Sequence, residues 1–261
     1  MRSRPLRAFL LGFGQGLAEL LPVSSSTHSA LLGARLVGEE GKGHTLQVAL
    51  HAASGAALAG RLRGRLAVPL PALAPAVLLP AALGLLLDRR YARQEGSGRR
   101  AALFGLAFGS AVMAAGGLAG EGRREAGEAG FLDGLCLGLA GAAALAPGVS
   151  RSGTALAVAR LRGFSAGGAS RLAWACGLPL MVGAGALRLV RAARSGELPP
   201  LPLLAWASFG AYLGTVVGAC AGLQRVAARR LLAFASYRLA VAGALLARER
   251  ARSQSLASSS G

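Results

Sequence analysis

The chain has 261 residues, of which 53% are hydrophobic and only 15% charged, with a mean hydropathy of +0.50. That is too apolar for an ordinary soluble domain and belongs in a bilayer. The 29 basic residues, against 11 acidic ones, fall in short clusters between apolar runs, at Arg61, Arg63 and Arg65, at Arg89, Arg90, Arg93, Arg99 and Arg100, and at Arg225, Arg229 and Arg230. This is how membrane-flanking loops meet anionic headgroups, and with two Trp and three Tyr for base stacking it argues against a nucleic-acid partner.

In chain order, the first apolar segment, residues 7–36, is interrupted by Pro22-Val23-Ser24-Ser25-Ser26-Thr27-His28. Its basic, apolar start resembles a signal peptide, but the polar residues of interest begin inside it, so it reads as part of the mature protein. Three apolar stretches follow at 44–61, 67–87 and 101–119, each near the about 20 residues of helix that cross a hydrocarbon core. A polar link over about 120–130 leads to a second interrupted segment, 131–162, which contains Pro147-Gly148-Val149-Ser150-Arg151-Ser152-Gly153-Thr154. Stretches at 167–190, 200–222 and 230–247 complete the series, and 248–261 reads as a disordered polar tail. Cys136, Cys176 and Cys220 each lie in apolar surroundings and imply neither disulfides nor a zinc site.

Proline removes a backbone donor and stops the incoming helix, and Ser or Thr just after it can cap the next one. Each interrupted segment therefore predicts two half-helices meeting at a tip. Backbone without helical hydrogen bonds is tolerated at membrane depth only where protein or water satisfies it, so the two tips should face each other in a polar pocket. The expected fold is an all-α integral membrane protein with six transmembrane helices and two re-entrant helix hairpins. They form one polytopic domain over 1–247, with repeat 1 at about 7–119 and repeat 2 at about 131–247, inverted relative to each other. Gly16 before Pro22 and Gly141 before Pro147 form a weak internal echo. The positive-inside bias is too slight to assign a face.

Two constellations carry chemistry. Gln15 and Glu19 are four apart, hence on one helical face, beside Ser24, Ser25, Ser26, Thr27 and His28. A carboxylate inside an apolar run costs several kcal/mol unless paired, which marks Glu19 as functional. The plainer reading, a helix-terminal residue reaching interfacial water, leaves His28 and the three serines unexplained. In the second constellation, Gly148 permits close backbone approach. Ser150, Ser152, Gly153 and Thr154 offer hydroxyls and N–H groups at a helix start, and Arg151 adds a fork matched to phosphate oxygens. The plainer reading there is a helix cap with a snorkelling arginine. His51, a lone histidine in an apolar span, reads as a hydrogen-bonded packing residue more than a ligand. Arg238 either reaches the pocket or pairs with an acidic group, and stays outside the catalytic set.

On these residues the chain resembles the undecaprenyl-diphosphate phosphatases, also called bacitracin-resistance proteins. The family's first motif reads approximately E-G-x-T-E-F-L-P-[VI]-S-S-T-G-H, against Gln15 to His28 here, and its second, P-G-x-S-R-S-G, is matched in full by Pro147 to Gly153. The similarity continues through Leu50-His51, Gly163-Phe164-Ser165, Leu178-Pro179 and Tyr237-Arg238. Departures are Gln15 where the family usually has glutamate, Ser26-Thr27 for Thr-Gly, Gly141 for a usual Gln, and Arg171 for a usual acid. The resemblance implies removal of the terminal phosphate from undecaprenyl diphosphate, recycling the lipid carrier for cell-wall synthesis in a bacterial inner membrane. It also implies a divalent cation, Mg2+ or Ca2+, with Glu19 as a ligand and weak holding because Gln15 cannot ionise. Glu19, Ser25, His28 and Arg151 would carry the catalysis. Gln15, Ser24, Ser26, Ser150, Ser152, Gly153 and Thr154 would bind the substrate phosphates. Attack by Ser25, by His28, or by water positioned by His28 all stay open. The expected partners are the polyprenyl diphosphate, the bilayer and a second copy in a homodimer. Two other readings are a polyprenyl-phosphate flippase, which needs the clamp without a nucleophile, and a weakened lipid-phosphate-binding paralogue, which Gln15 suggests.

Overall fold

The computed structural model describes residues 3–38, 43–62, 64, 67–91 and 98–258, without the side chains of 3, 30, 31, 88–91, 98, 99 and 248–258. Arg63, Arg65 and Arg93 and the side chains of Arg89, Arg90 and Arg99, all in the expected basic clusters, lie outside the described residues.

The described chain is all-helical. In order come α1 (Ser3–Glu19), α2 (Ser25–Leu36), α3 (His44–Arg61), α4 (Leu70–Tyr91) and α5 (Gly98–Leu118). After a 3-10 turn at Ala126–Glu128 follow α6 (Phe131–Ala143), α7 (Arg151–Leu161), α8 (Ala166–Ser195), α9 (Leu201–Cys220), α10 (Leu223–Arg229) and α11 (Leu231–Ser258). α4, α5, α8 and α9 are long and apolar enough to cross a membrane, and α10 with α11, bent by 89°, makes a fifth when counted as one span. Exposed apolar side chains such as Leu86, Phe104 and Leu118, each about three-quarters accessible, would be untenable in water over such lengths and suit acyl chains. α3 falls short of that hydropathy because it carries Gln47, His51 and Ser54, which turn inward. Helical backbone continues to Ser258, a correction to the tail expected from 248. Alanine, arginine, glutamate, glutamine and leucine dominate that stretch, and such residues propagate an existing helix. Residues 259–261 lie outside the described residues.

Small residues decide how the helices meet. α1 lies against α9 with glycines on both sides: a Cβ at Gly12 or Gly16 would run into the carbonyls of Ala207 or Ala211, and one at Gly210 or Gly214 into those of Phe9 or Phe13. α6 meets α4 in the same manner, Gly134 on the Ala72 carbonyl and Gly138 on that of Pro75. Such contacts let backbones approach where lipid offers no hydrophobic drive between helices. α3 packs on α8 and α5 on α11. The first half-helix of each interrupted segment thus lies on a helix from the other half of the chain: α1 on α9, α6 on α4. The 120–130 link is tied down at its far end. Arg124 grips Asp133 with two hydrogen bonds of 3.1 and 2.7 Å and lies 4.2 Å over the Phe164 ring, while Arg162 donates to Asp133 at 2.8 Å. Arg171, the departure from a usual acid, pairs with Glu125 in this link.

Gly210→Val should lower the unfolding free energy in detergent by about 1–3 kcal/mol through overpacking against the Phe9 carbonyl. Gly243→Ala, which meets nothing within 4 Å, should leave it unchanged or slightly higher. Equal effects at the two positions would contradict the close approach of α1 and α9.

Candidate active site

The first tip begins where α1 stops at Glu19, three residues ahead of Pro22, and α2 starts at Ser25. Ser24, at φ 68°, is the one non-glycine in the left-handed region among the described residues, a conformation that costs about 1–2 kcal/mol. The sequence suggests a capping serine or threonine here. The Ser24 hydroxyl instead meets that of Thr27 at 3.0 Å and makes no cap bond to α2. The left-handed backbone turns the side chain away from the helix N–H groups.

The second tip follows the expected pattern. Ser150 caps α7, its hydroxyl accepting from the Gly153 N–H at 3.2 Å, and the Thr154 hydroxyl donates to the Ser150 carbonyl at 2.9 Å. The first-turn N–H groups of α7 have no intrahelical acceptors and point out of the helix end, where an anion is favoured. Gly148, at φ 84°, brings the loop so close to α5 that a Cβ would strike the Ala102 carbonyl. Behind the loop lies Arg238, whose side chain is fully buried. It donates from Nη2 to the Gly148 carbonyl at 2.8 Å and from Nε to Ser110 at 3.3 Å, and its Nη1 has no partner among the described residues. Of the two roles the sequence allowed it, pairing with an acid is not the one found. The guanidinium holds the tip's backbone.

The two tips meet at Glu19. Arg151 Nη2, on the second tip, donates to Glu19 Oε1 at 3.0 Å. Ser25, on the first, donates to Oε2 at 2.6 Å, and Gln15 Nε2 donates to the same oxygen at 3.0 Å. Gly153 lies against Pro22, where a Cβ would come within 3.1 Å of the proline ring. Gln15, Glu19, Ser24, Ser25, Ser150 and Thr154 are buried, Arg151 and Ser152 half-buried, and Ser26 exposed. Ser152 lies 3.4 Å from Ser150, hydroxyl to hydroxyl. His28 stands apart: its Nδ1 donates to the Ser24 carbonyl at 3.0 Å, so in the neutral ring Nε2 accepts from the Tyr237 hydroxyl at 2.7 Å. Among the described residues no hydrogen bond joins His28 to Glu19, Ser25 or Arg151.

Three partners escaped the sequence reading. His51 Nδ1 lies 2.7 Å from Glu19 Oε2, so this histidine of α3 belongs to the site and not to packing. Ser54 donates to Gln15 Oε1 at 3.2 Å, and the Thr215 hydroxyl lies 2.9 Å from Ser54. Their spacing on α3 was the available signal, since His51 and Ser54 are three apart and share a helical face; Thr215, on α9, left none.

Beside this group a cavity of about 520 Å³ opens between α1, α2 and α11. Gln15, His28 and Tyr237 form its polar side, and Leu17, Leu21 and Phe234 its apolar side. An anion at the tips with an apolar chain in this cavity is the ligand shape the arrangement accepts.

The family described as Bacitracin resistance protein BacA matches residues 8–244. An undecaprenyl-diphosphatase of Geobacter sulfurreducens is 34% identical over 268 residues, covering 93% of this chain and 97% of that protein. One from Rubrobacter xylanophilus is 34% identical over 267 residues with the same coverage, and one from Anaeromyxobacter dehalogenans 33% identical over 272 residues, covering 92% and 90%.

Arg238→Met should release the second tip. A hydrogen bond from a charged group contributes about 1.5–3 kcal/mol, so amide exchange over 148–152 should speed up by about tenfold or more while exchange in α8 stays constant. Unchanged exchange at the tip would show that Arg238 does not hold it.

Proposed function

Because the chain belongs to the bacitracin resistance protein BacA family, we propose that it hydrolyses undecaprenyl diphosphate to undecaprenyl phosphate and inorganic phosphate. It is a multi-pass membrane phosphatase. The observation that carries this reading is the buried carboxylate of Glu19, shared at 2.6 Å with the Ser25 hydroxyl and at 3.0 Å with Arg151 from the opposite tip.

A hydroxyl donating to a carboxylate is the arrangement of an activated nucleophile and its base. Ser25 Oγ attacks the terminal phosphorus, its proton passes to Glu19, and the phosphoanhydride bond breaks with undecaprenyl phosphate as leaving group, which takes that proton. Water then attacks the phosphoserine, gives its proton to Glu19, and returns serine as the proton moves to Ser25. Arg151 exchanges Glu19 for the phosphoryl oxygens and, with the first-turn N–H groups of α7, takes up the charge that grows in the transition state. Ser24, Ser26, Ser152 and Thr154 surround the phosphates, and Gly153 keeps the loop thin enough for their approach. His28, on the cavity wall beside Tyr237, faces the leaving lipid phosphate. The apolar side of the cavity takes the first prenyl units, so the substrate enters from the lipid.

The finer architecture belongs to the same proposal: six spans and two re-entrant hairpins, in two inverted halves within a bacterial inner membrane. The reciprocal packing of α1 on α9 and α6 on α4 supports it, since a twofold axis in the membrane plane exchanges these pairs. It maps α3 onto α8 and α5 onto α11, which also touch.

Phosphate release from undecaprenyl diphosphate by the purified protein in detergent tests the reading. Ser25→Ala and Arg151→Ala should each lower kcat by roughly 10²–10³ per mole of folded protein. No release by folded wild-type protein would contradict hydrolysis, and undiminished release by Ser25→Ala would remove the covalent serine.

A further inference from the structure

Every polar group facing Glu19 faces it as a donor. Arg151 holds Oε1, while Ser25 and the Gln15 amide nitrogen hold Oε2. His51 Nδ1, 2.7 Å from Oε2, must carry the ring proton, because two lone pairs do not approach so closely. The orientation of Gln15 is fixed from behind: its Oε1 accepts from Ser54, which is joined in turn to Thr215. Turning the amide over would set its oxygen 3.0 Å from a carboxylate oxygen, an unfavourable contact. Gln15 therefore presents N–H groups to the site and points its one oxygen away.

Mg2+ and Ca2+ require open oxygen ligands, several at once, most of them carboxylate, carbonyl or water. Here three donors crowd Glu19 Oε2 and Oε1 faces the Arg151 guanidinium, and among the described residues no three His, Cys, Asp or Glu side chains converge on a common point. We infer that this site works as a donor cage and releases phosphate without a divalent cation, His51 and the Gln15 amide filling the positions a metal ion would need. The inference rests on the hydrolase reading of the same site and states what that site does not take. The positive charge facing the phosphoryl then comes from Arg151 and the N–H groups of α7. His51, acting through Glu19, is a positioning residue.

The experiment strips wild-type protein with a chelator and follows two quantities: Mn2+ bound, by electron paramagnetic resonance, and phosphate released from undecaprenyl diphosphate. The expected result is a Mn2+ titration identical for wild type and Glu19→Gln, with turnover unchanged when Mg2+ or Ca2+ is restored. In Gln15→Glu a carboxylate replaces a donor, and in His51→Ala one of the three donors on Glu19 Oε2 is removed. Each should raise Mn2+ affinity, the former by about tenfold or more. Mn2+ binding by wild type that Glu19→Gln abolishes would overturn the inference, as would turnover lost on chelation and regained with Mg2+ or Ca2+. Absence of turnover with and without metal contradicts the hydrolase reading instead, and the Mn2+ titration then decides the inference by itself.

Discussion

The site depends on one buried carboxylate held between halves of the chain that are 132 residues apart. Glu19 cannot stay ionised in an apolar interior alone, because the loss of hydration costs several kcal/mol. Arg151 is therefore as much a structural requirement of the first tip as a functional group of the second. Each tip is incomplete without the other, and this ties the fold of the two segments to the chemistry between them. The attraction is also provisional by design: a phosphoryl group offers Arg151 a better anion than a carboxylate already served by Ser25, Gln15 and His51.

The surroundings keep that arrangement narrow. Glycines on α1 and α9 let the first half-helix lie directly on a helix of the second half, and the α6 glycines do the same against α4. Side chains at those positions would widen the gap and move Glu19 from Arg151. Arg238 serves the second tip from behind, at the cost of a fully buried guanidinium whose Nη1 finds no partner among the described residues. Such an uncompensated cation also raises the local potential where a phosphate would lie. The left-handed Ser24 has the opposite character: a strained residue persists where the surroundings over-determine it, as next to a catalytic hydroxyl.

Much of this was legible in the sequence because proline, glycine and hydroxyl residues act locally. The helix breaks before Pro22 and Pro147, the cap at Ser150 and the Gln15–Glu19 face all follow from neighbours within a few positions. What sequence could not supply were contacts made across the fold. His51 looks like any histidine in an apolar span until α3 is placed beside α1. Ser54 and Thr215 are unremarkable until they appear behind Gln15, and the Arg238 contact depends on α11 crossing α5. The Ser24 cap failed for a local reason of another kind, since the motif specifies a hydroxyl but not the sign of its φ. The tail beyond residue 247 reads as polar, yet its helix formers extend α11.

A double-mutant cycle on unfolding free energy, with Glu19→Gln, Arg151→Gln and the pair, measures the link between the tips directly. Arg151→Gln strands a buried charge in the wild-type background, but not where Glu19 is already neutral. The expected coupling is about 1–3 kcal/mol, with the double variant far less damaged than the sum of the singles. Losses that add to within about 0.5 kcal/mol would mean the two tips do not share this carboxylate.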